Sequence, residues 1–379
     1  MGMVGGGRGS FIGPVHRMAA ALDGAIELVC GCFSADPRKS RDSGADLFLQ
    51  PDRVYGAFRD MFRAEKALPA DRRMDFVSIV TPNHLHFPAA AAALESGFPV
   101  MCDKPMTLDL AEARQLKLIV EKTGLPFGLT HTYTGYPMVK EARTMVAEGR
   151  LGAVRKVVVE YPQGWLSTLA EKAGNRAAEW RTDPARGGAS AVMGDIGTHC
   201  ANLAEYVTGL RIAEVCADLG IVVPGRVSHD DGSVLLRMEG GARGILYASQ
   251  ISAGEENSLA IRVYGEKAGL EWRQMEPNTL ILRKTDGPAE IIRPGGFPWL
   301  SKAAVANIRV PAGHPEGYIE AFANLYRAFA SMLQARLEGK APGDAYDVPG
   351  VEDGVRGMAF VETVVENAGN DRKWTAMKT

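Results

Sequence analysis

Three side chains far apart in the chain have the makings of reactive chemistry. Lys104 lies in Cys102-Asp103-Lys104-Pro105, and Asp195 and His199 lie in Gly194-Asp195-Ile196-Gly197-Thr198-His199. A lysine amine can hold an oxygen, or shift its proton affinity when partly desolvated. Imidazole titrates near neutrality, so His199 is suited to take a proton. Asp195 precedes it by four residues. On a helix both would face the same way, so Asp195 could orient the ring or bind a neighbouring hydroxyl. Such a set suits oxidation of a carbinol carbon. One group takes the hydroxyl proton, another stabilises the forming alkoxide, and hydride leaves to an acceptor. Each segment also has a plain structural reading. Lys-Pro pairs are common in solvated turns, and Asp195 and His199 could cap and line an ordinary helix.

The hydride acceptor is suggested by the run Gly5-Gly6-Gly7-Arg8-Gly9-Ser10-Phe11-Ile12-Gly13, between a short apolar stub and a helical pattern. Glycines there allow a tight turn and close approach to a pyrophosphate, which a helix N-terminus stabilises. Gly5, Gly7, Gly9, Ser10, Phe11 and Ile12 are the expected contacts. The spacing departs from the usual fingerprint, with the third glycine falling at Gly9 or Gly13, and a merely flexible turn is the alternative. After the second strand comes Phe33-Ser34-Ala35-Asp36-Pro37-Arg38-Lys39, with no carboxylate at the strand end itself. Ser34 with Arg38 or Lys39 could accept a 2′-phosphate, whereas Asp36 reads as the cap of the next helix. NAD and NADP both remain open. Thr81, Pro82, Asn83 and His84 follow one strand, and Asp103 and Lys104 another, at the ends where open α/β sheets bind ligands. Asn83 and His84 are expected to border the nicotinamide, and His86 to start a helix. A His84-x-His86 metal pair has no third ligand placed for it, so no metal site is expected.

The elements needed to position these residues are legible as two styles of patterning. Up to about residue 130, apolar runs at 1–4, 26–32, 76–80, 99–102 and 126–130 alternate with helical stretches. That pattern predicts right-handed βαβ crossovers and a parallel, doubly wound sheet. Beyond about residue 150, strands are expected at 154–160, 212–219, 232–238, 242–249, 259–264, 270–273 and 280–283, with Gly240-Gly241 marking a hairpin. Helices are expected at 195–208, 315–334 and 351–367. The expected fold is therefore α/β plus α+β: a Rossmann dinucleotide-binding domain over 1–132, then a substrate-binding and oligomerisation domain over 133–379, built on an open, mainly antiparallel sheet. A length of 379 residues suits two or three domains.

The Thr81-Pro82-Asn83-His84 segment, the Lys104-Pro105 pair and the Gly-Asp-x-Gly-x-His segment about 90 residues later together resemble the Gfo/Idh/MocA family of oxidoreductases. The resemblance runs along essentially the whole chain, although Asp103 stands where the family usually has Glu. It implies an NAD(P)-dependent enzyme moving hydride between nicotinamide and a hydroxyl carbon of a sugar, sugar derivative or cyclic polyol. Lys104 and His199 would manage the proton, and Asp195 would orient. Tyr133, Gln163, Trp165, Trp180, Arg181, His314 and Glu316 would join Asp195 and His199 in the substrate pocket, since aromatic faces stack on sugars and polar groups bond hydroxyls. For Trp165 and Trp180 hydrophobic core is the competing reading. Self-association into a homodimer or homotetramer is implied by the resemblance alone. Some relatives are glycosidases that keep NAD bound and oxidise the sugar only transiently, and the same lysine and histidine would serve them. A regulator without chemistry is a third reading.

Composition bounds the rest. Hydrophobic residues make up 46% and charged residues 23%, ordinary for a globular enzyme, and the net charge of −2 argues against broad nucleic-acid binding. No run approaches ~18 consecutive apolar residues, so no membrane span is expected. No signal peptide is recognisable, and five scattered cysteines read as reduced thiols of a cytoplasmic protein. His16 and His229 are expected to be structural or surface residues. The stripe Ile319, Phe322, Leu325, Tyr326 and Phe329 is expected to pack a core.

Overall fold

Five three- or four-residue strands, β1 (Gly2–Gly5), β2 (Cys30–Cys32), β3 (Val77–Val80), β4 (Val100–Cys102) and β5 (Phe127–Leu129), pair in parallel in the order β2-β1-β3-β4-β5. This computed structural model describes residues 1–378 except 342 and 344–346. Each of the five strands is almost wholly buried, as continuous apolar runs covered on both faces require. Helices α1 (Ile12–Ala21), α2 (Pro37–Asp46), α3 (Phe58–Ala67), α4 (His86–Glu95) and α5 (Leu110–Thr123) make the crossovers. Asp36 caps α2 by accepting from the N–H groups of Arg38 and Lys39, as its position before Pro37 predicts. Gly124 ends α5 in the left-handed conformation, φ 60°. The strand expected over 26–32 is shorter. Only Cys30–Cys32 pair with β1, because residues 26–29 run half-exposed at the outermost edge of the sheet. The chain direction across the sheet reverses between β1 and β3, and the turns after these two strands flank that switch point.

The second sheet has nine strands: β6 (Val154–Pro162), β7 (Ile212–Gly220), β8 (Asp231–Met238), β9 (Arg243–Ser249), β10 (Ala260–Gly265), β11 (Ala268–Arg273), β12 (Leu280–Lys284), β13 (Ala289–Ile292) and β14 (Thr375–Ala376). All neighbours are antiparallel except β6 and β9, whose pairing is parallel. Alternation is clear on β8, where Gly232, Val234, Leu236 and Met238 are buried between more exposed neighbours. Gly240-Gly241 makes the β8–β9 hairpin, both residues at positive φ. Helices α6 (Pro137–Ala147), α7 (Arg176–Arg181), α8 (Pro184–Gly187), α9 (Thr198–Thr208) and α10 (Lys302–Ala306) belong to this part. Of these, α9 packs on β6, β9 and β10, and α6 on β11 and β12.

Two compact units result: residues 1–130 with 322–355, and residues 131–321 with 356–379. The division falls inside α11 (Tyr318–Leu337) and α12 (Val351–Ala368), so the C-terminal chain contributes to both units. The expected stripe on α11 is buried at Phe322, Leu325, Tyr326 and Phe329.

Candidate functional site

In the first unit, the glycine turn leaves β1 and enters α1. Gly6 and Gly13 are in such close approach that a Cβ on Gly13 would lie 2.4 Å from the Gly6 Cα. Glycine at 13 thus lets the helix sit against the turn. The amide of Ser10 donates to the Gly7 carbonyl at 3.0 Å, and the Gly13 N–H donates to the Ser10 hydroxyl at 3.2 Å. Arg8 and Phe11 project outward, the former onto Asp42 and Asp46 of α2. Beside this turn the Thr81 hydroxyl is buried with no hydrogen-bond partner among the described residues. A glycine cradle with an orphaned hydroxyl at the switch point fits a dinucleotide. Gly5, Gly7 and Gly9 line the turn. Ser34 accepts from the Asp36 N–H at 3.1 Å, and Arg38 is exposed.

The turns after β3 and β4 are tied together. His86, the first residue of α4 and 1% exposed, places Nδ1 2.7 Å from the Pro105 carbonyl and Nε2 2.8 Å from that of Thr81. Burial lowers the His86 pKa, and the single N–H of the neutral ring donates to one of these two main-chain carbonyls at a time. Asn83 is buried and His84 half-buried on the first turn. On the second, Asp103 Oδ1 accepts from the Lys104 N–H and from the Thr130 hydroxyl, each at 2.8 Å.

In the second unit, Asp195 sits in a π-helical turn, Met193–Gly197, that leads into α9. Such turns recur at functional sites. Gln250 Nε2 donates to Asp195 Oδ2 at 2.8 Å, and Arg181 Nε lies 3.4 Å from Oδ1. The Arg181 guanidinium stacks over Trp180, 4.3 Å from the ring centroid, and lies 5.8 Å from that of Trp165. One turn on, His199 stands in an aromatic corner, with ring centroids of Tyr133, His131 and Tyr161 at 4.7, 5.4 and 6.2 Å. The Tyr133 and Tyr161 hydroxyls bond one another, and Asn257 joins both. Gln163 Nε2 donates to Asn257 Oδ1 at 2.8 Å, and Trp165 Nε1 to Gln163 Oε1 at 3.1 Å. Burial raises the Tyr133 pKa to about 12, so the phenol stays protonated and can donate.

The second unit thus gathers Tyr133, Gln163, Trp165, Trp180, Arg181, Asp195 and His199 through direct contacts. His314 and Glu316 are placed differently. Glu316 Oε1 accepts from the N–H groups of Arg309 and Val310, bracing its own loop, while His314 is exposed on that loop. Tyr161, Gln250, Asn257 and His131 complete the cluster without having been picked out as pocket residues. They converge only through sheet pairing and a long loop, which no local spacing reveals.

Residues 1–131 match the oxidoreductase family with an NAD-binding Rossmann fold, and residues 139–271 match the GFO/IDH/MocA C-terminal domain. The chain belongs to the Gfo/Idh/MocA family and is an NAD-binding oxidoreductase. The uncharacterized oxidoreductase YfiI of Bacillus subtilis (strain 168) is 34% identical, the alignment covering 99% of this chain and 96% of YfiI. The crystal structure of an inositol dehydrogenase homolog complexed with NAD+ from Azotobacter vinelandii is 36% identical, with a TM-score of 0.94 over 99% of this chain and 96% of that one. The same homolog complexed with NADH and myo-inositol is also 36% identical, with a TM-score of 0.91 and the same coverage.

Proposed function

We propose that this oxidoreductase is a dehydrogenase acting on a hydroxyl carbon of a sugar, sugar derivative or cyclic polyol. The observation that carries the reading is the wall of the second unit. There a carboxylate held by Gln250 and Arg181 lies one turn from an imidazole, beside tryptophan faces and side-chain amides. Such a wall offers donors and acceptors to hydroxyls and flat apolar faces to ring carbons. The solved homolog complexed with NADH and myo-inositol supports a polyol.

In this reading Gly5, Gly7, Gly9, Ser10, Phe11 and Ile12 hold the pyrophosphate, Ser34 and Arg38 the adenosine ribose side, and Thr81 to His84 with Asp103 the nicotinamide side. When bound, the nicotinamide supplies the hydride acceptor. Lys104 holds the substrate oxygen, His199 takes its proton, and Asp195 orients the ring or a neighbouring hydroxyl. The units of function would divide near residue 132. A homodimer or homotetramer follows the family resemblance. A cytoplasmic setting accords with the cysteines, all free among the described residues.

The test is a panel of polyols and sugars, myo-inositol among them, incubated with NAD+ or NADP+ while the near-ultraviolet absorbance of the reduced cofactor is followed. Net reduction matched by oxidised product supports the dehydrogenase. Release of an aglycone with no net absorbance change would replace it with the redox-assisted glycosidase.

A further inference from the structure

A buried polar chain lies beneath the Lys104 turn in the first unit. Ser78 Oγ is 2.8 Å from the Tyr326 hydroxyl, which is 2.7 Å from His16 Nδ1. On its other side, His16 Nε2 faces Asp103 Oδ2 at 3.9 Å. Ser78, His16 and Tyr326 are wholly buried, and the Asp103 side chain is 14% exposed. The second Asp103 oxygen is the one that accepts from the Lys104 N–H and the Thr130 hydroxyl.

Proton placement in this chain is constrained by the carboxylate on one side and by two hydroxyls on the other, since Ser78 Oγ also lies 3.4 Å from His16 Nδ1. A neutral imidazole carries a single N–H. Burial depresses the His16 pKa to about 4, so the ring is neutral at ordinary pH. With the proton on Nδ1, a bare Nε2 lone pair would confront a carboxylate in a poorly screened interior. With the proton on Nε2, the N–H faces Asp103 across 3.9 Å, an electrostatic contact longer than a hydrogen bond, while Nδ1 accepts from Tyr326 and Tyr326 accepts from Ser78. Every donor then leans toward the carboxylate, and buried chains of this kind are polarised by one another. His16 belongs to α1, the helix that leaves the glycine turn, so the same contact joins that helix to the lysine turn.

We propose that His16 and Tyr326 are positioning residues for Lys104: Tyr326 favours the Nε2–H tautomer of His16, whose N–H attracts the Asp103 carboxylate, and that carboxylate holds the Lys104 backbone N–H. This rests on the reading of Lys104 as the group that holds the substrate oxygen.

Histidine 15N NMR of the full-length protein tests the first link, with His16 assigned by loss of its signal in His16→Gln. The expected result is the Nε2–H tautomer in the wild type and a move toward Nδ1–H when both hydroxyls near Nδ1 are removed, in Ser78→Ala with Tyr326→Phe, the latter keeping the ring packed against Phe76. Steady-state kinetics test the second. Tyr326→Phe should lower kcat about tenfold, the scale of one lost hydrogen bond, with substrate KM and NADH affinity nearly unchanged. In a Lys104→Ala background the same substitution should cost nothing further. An Nδ1–H tautomer in the wild type overturns the proposal whether or not Tyr326→Phe folds. So does an undiminished kcat in Tyr326→Phe, or an equal loss on top of Lys104→Ala. Full turnover in Lys104→Ala alone overturns the reading of Lys104 itself, and is told apart because Tyr326 is then intact.

Discussion

The imidazole of His199 stands edge-on against the ring of Tyr133, centroids 4.7 Å apart and planes at 79°. Tyr133 therefore shapes the wall around His199 with its ring while its hydroxyl is bonded to Tyr161 and Asn257. Tyr133→Phe is predicted to keep kcat within about threefold and to cost about 1 kcal/mol of stability, the worth of a buried hydrogen bond. Tyr133→Ala should cost about 3–5 kcal/mol and a much larger share of activity. Urea melts beside initial rates separate the two.

Arg181 joins the Asp195 carboxylate to the face of Trp180. Lysine can supply the charge but not a planar fork that stacks and bonds together. Arg181→Lys is predicted to raise substrate KM about threefold to tenfold with kcat within about twofold. A selective fall in kcat would instead place Arg181 in the chemical step.

Arg226 is fully buried and bonds Glu171, Asp230 and the carbonyls of Leu166 and Thr168. Asp230 also accepts from the N–H groups of Val222 and Val223. Removing the cation strands Asp230 in the interior, so Arg226→Ala should destabilise by about 3–5 kcal/mol. It should also loosen the loop carrying Trp165, read as a rise in KM in protein that remains folded.

His16 makes stability depend on pH with a definite sign. Its folded pKa is depressed from 6.5 to about 4 by burial. The unfolded chain therefore takes up the proton first. The contribution is present above pH 6.5 and is lost as pH falls toward 4, by on the order of 3 kcal/mol for this site. Buried His86, also lowered, adds in the same direction. Denaturant melts from pH 7.5 to 4.5 should show stability falling with acidity, and His16→Gln should flatten that slope. An unchanged slope would contradict the burial argument.

How much of this was legible in the sequence depends on range. Gly5, Gly6, Gly7, Gly9 and Gly13, and Asp36 before Pro37, announce local geometry, so the glycine turn into α1 and the α2 cap could be read directly. Helix α3 was not, because Arg59, Asp60, Arg63, Glu65 and Lys66 leave only a narrow apolar stripe. The parallel β6–β9 pairing joins residues about 90 apart, beyond the reach of any local pattern. The same holds for the site. Lys104, Asp195 and His199 were picked out as candidates from type and spacing. Asn257 and Gln250 come from a loop whose sequence carries no signal. Tyr326 reads correctly as core by its ring, but periodicity says nothing of where its hydroxyl goes, and so His16 was read only as a structural or surface residue.

The central claim is that Lys104 and His199 serve the chemical step and not the binding of the dinucleotide. It is tested most directly by measuring NADH formation and NADH binding side by side in Lys104→Ala and His199→Ala. The account predicts turnover lowered ~10²-fold or more with NADH affinity nearly intact. Turnover retained in either variant, or NADH binding lost together with turnover, would contradict it.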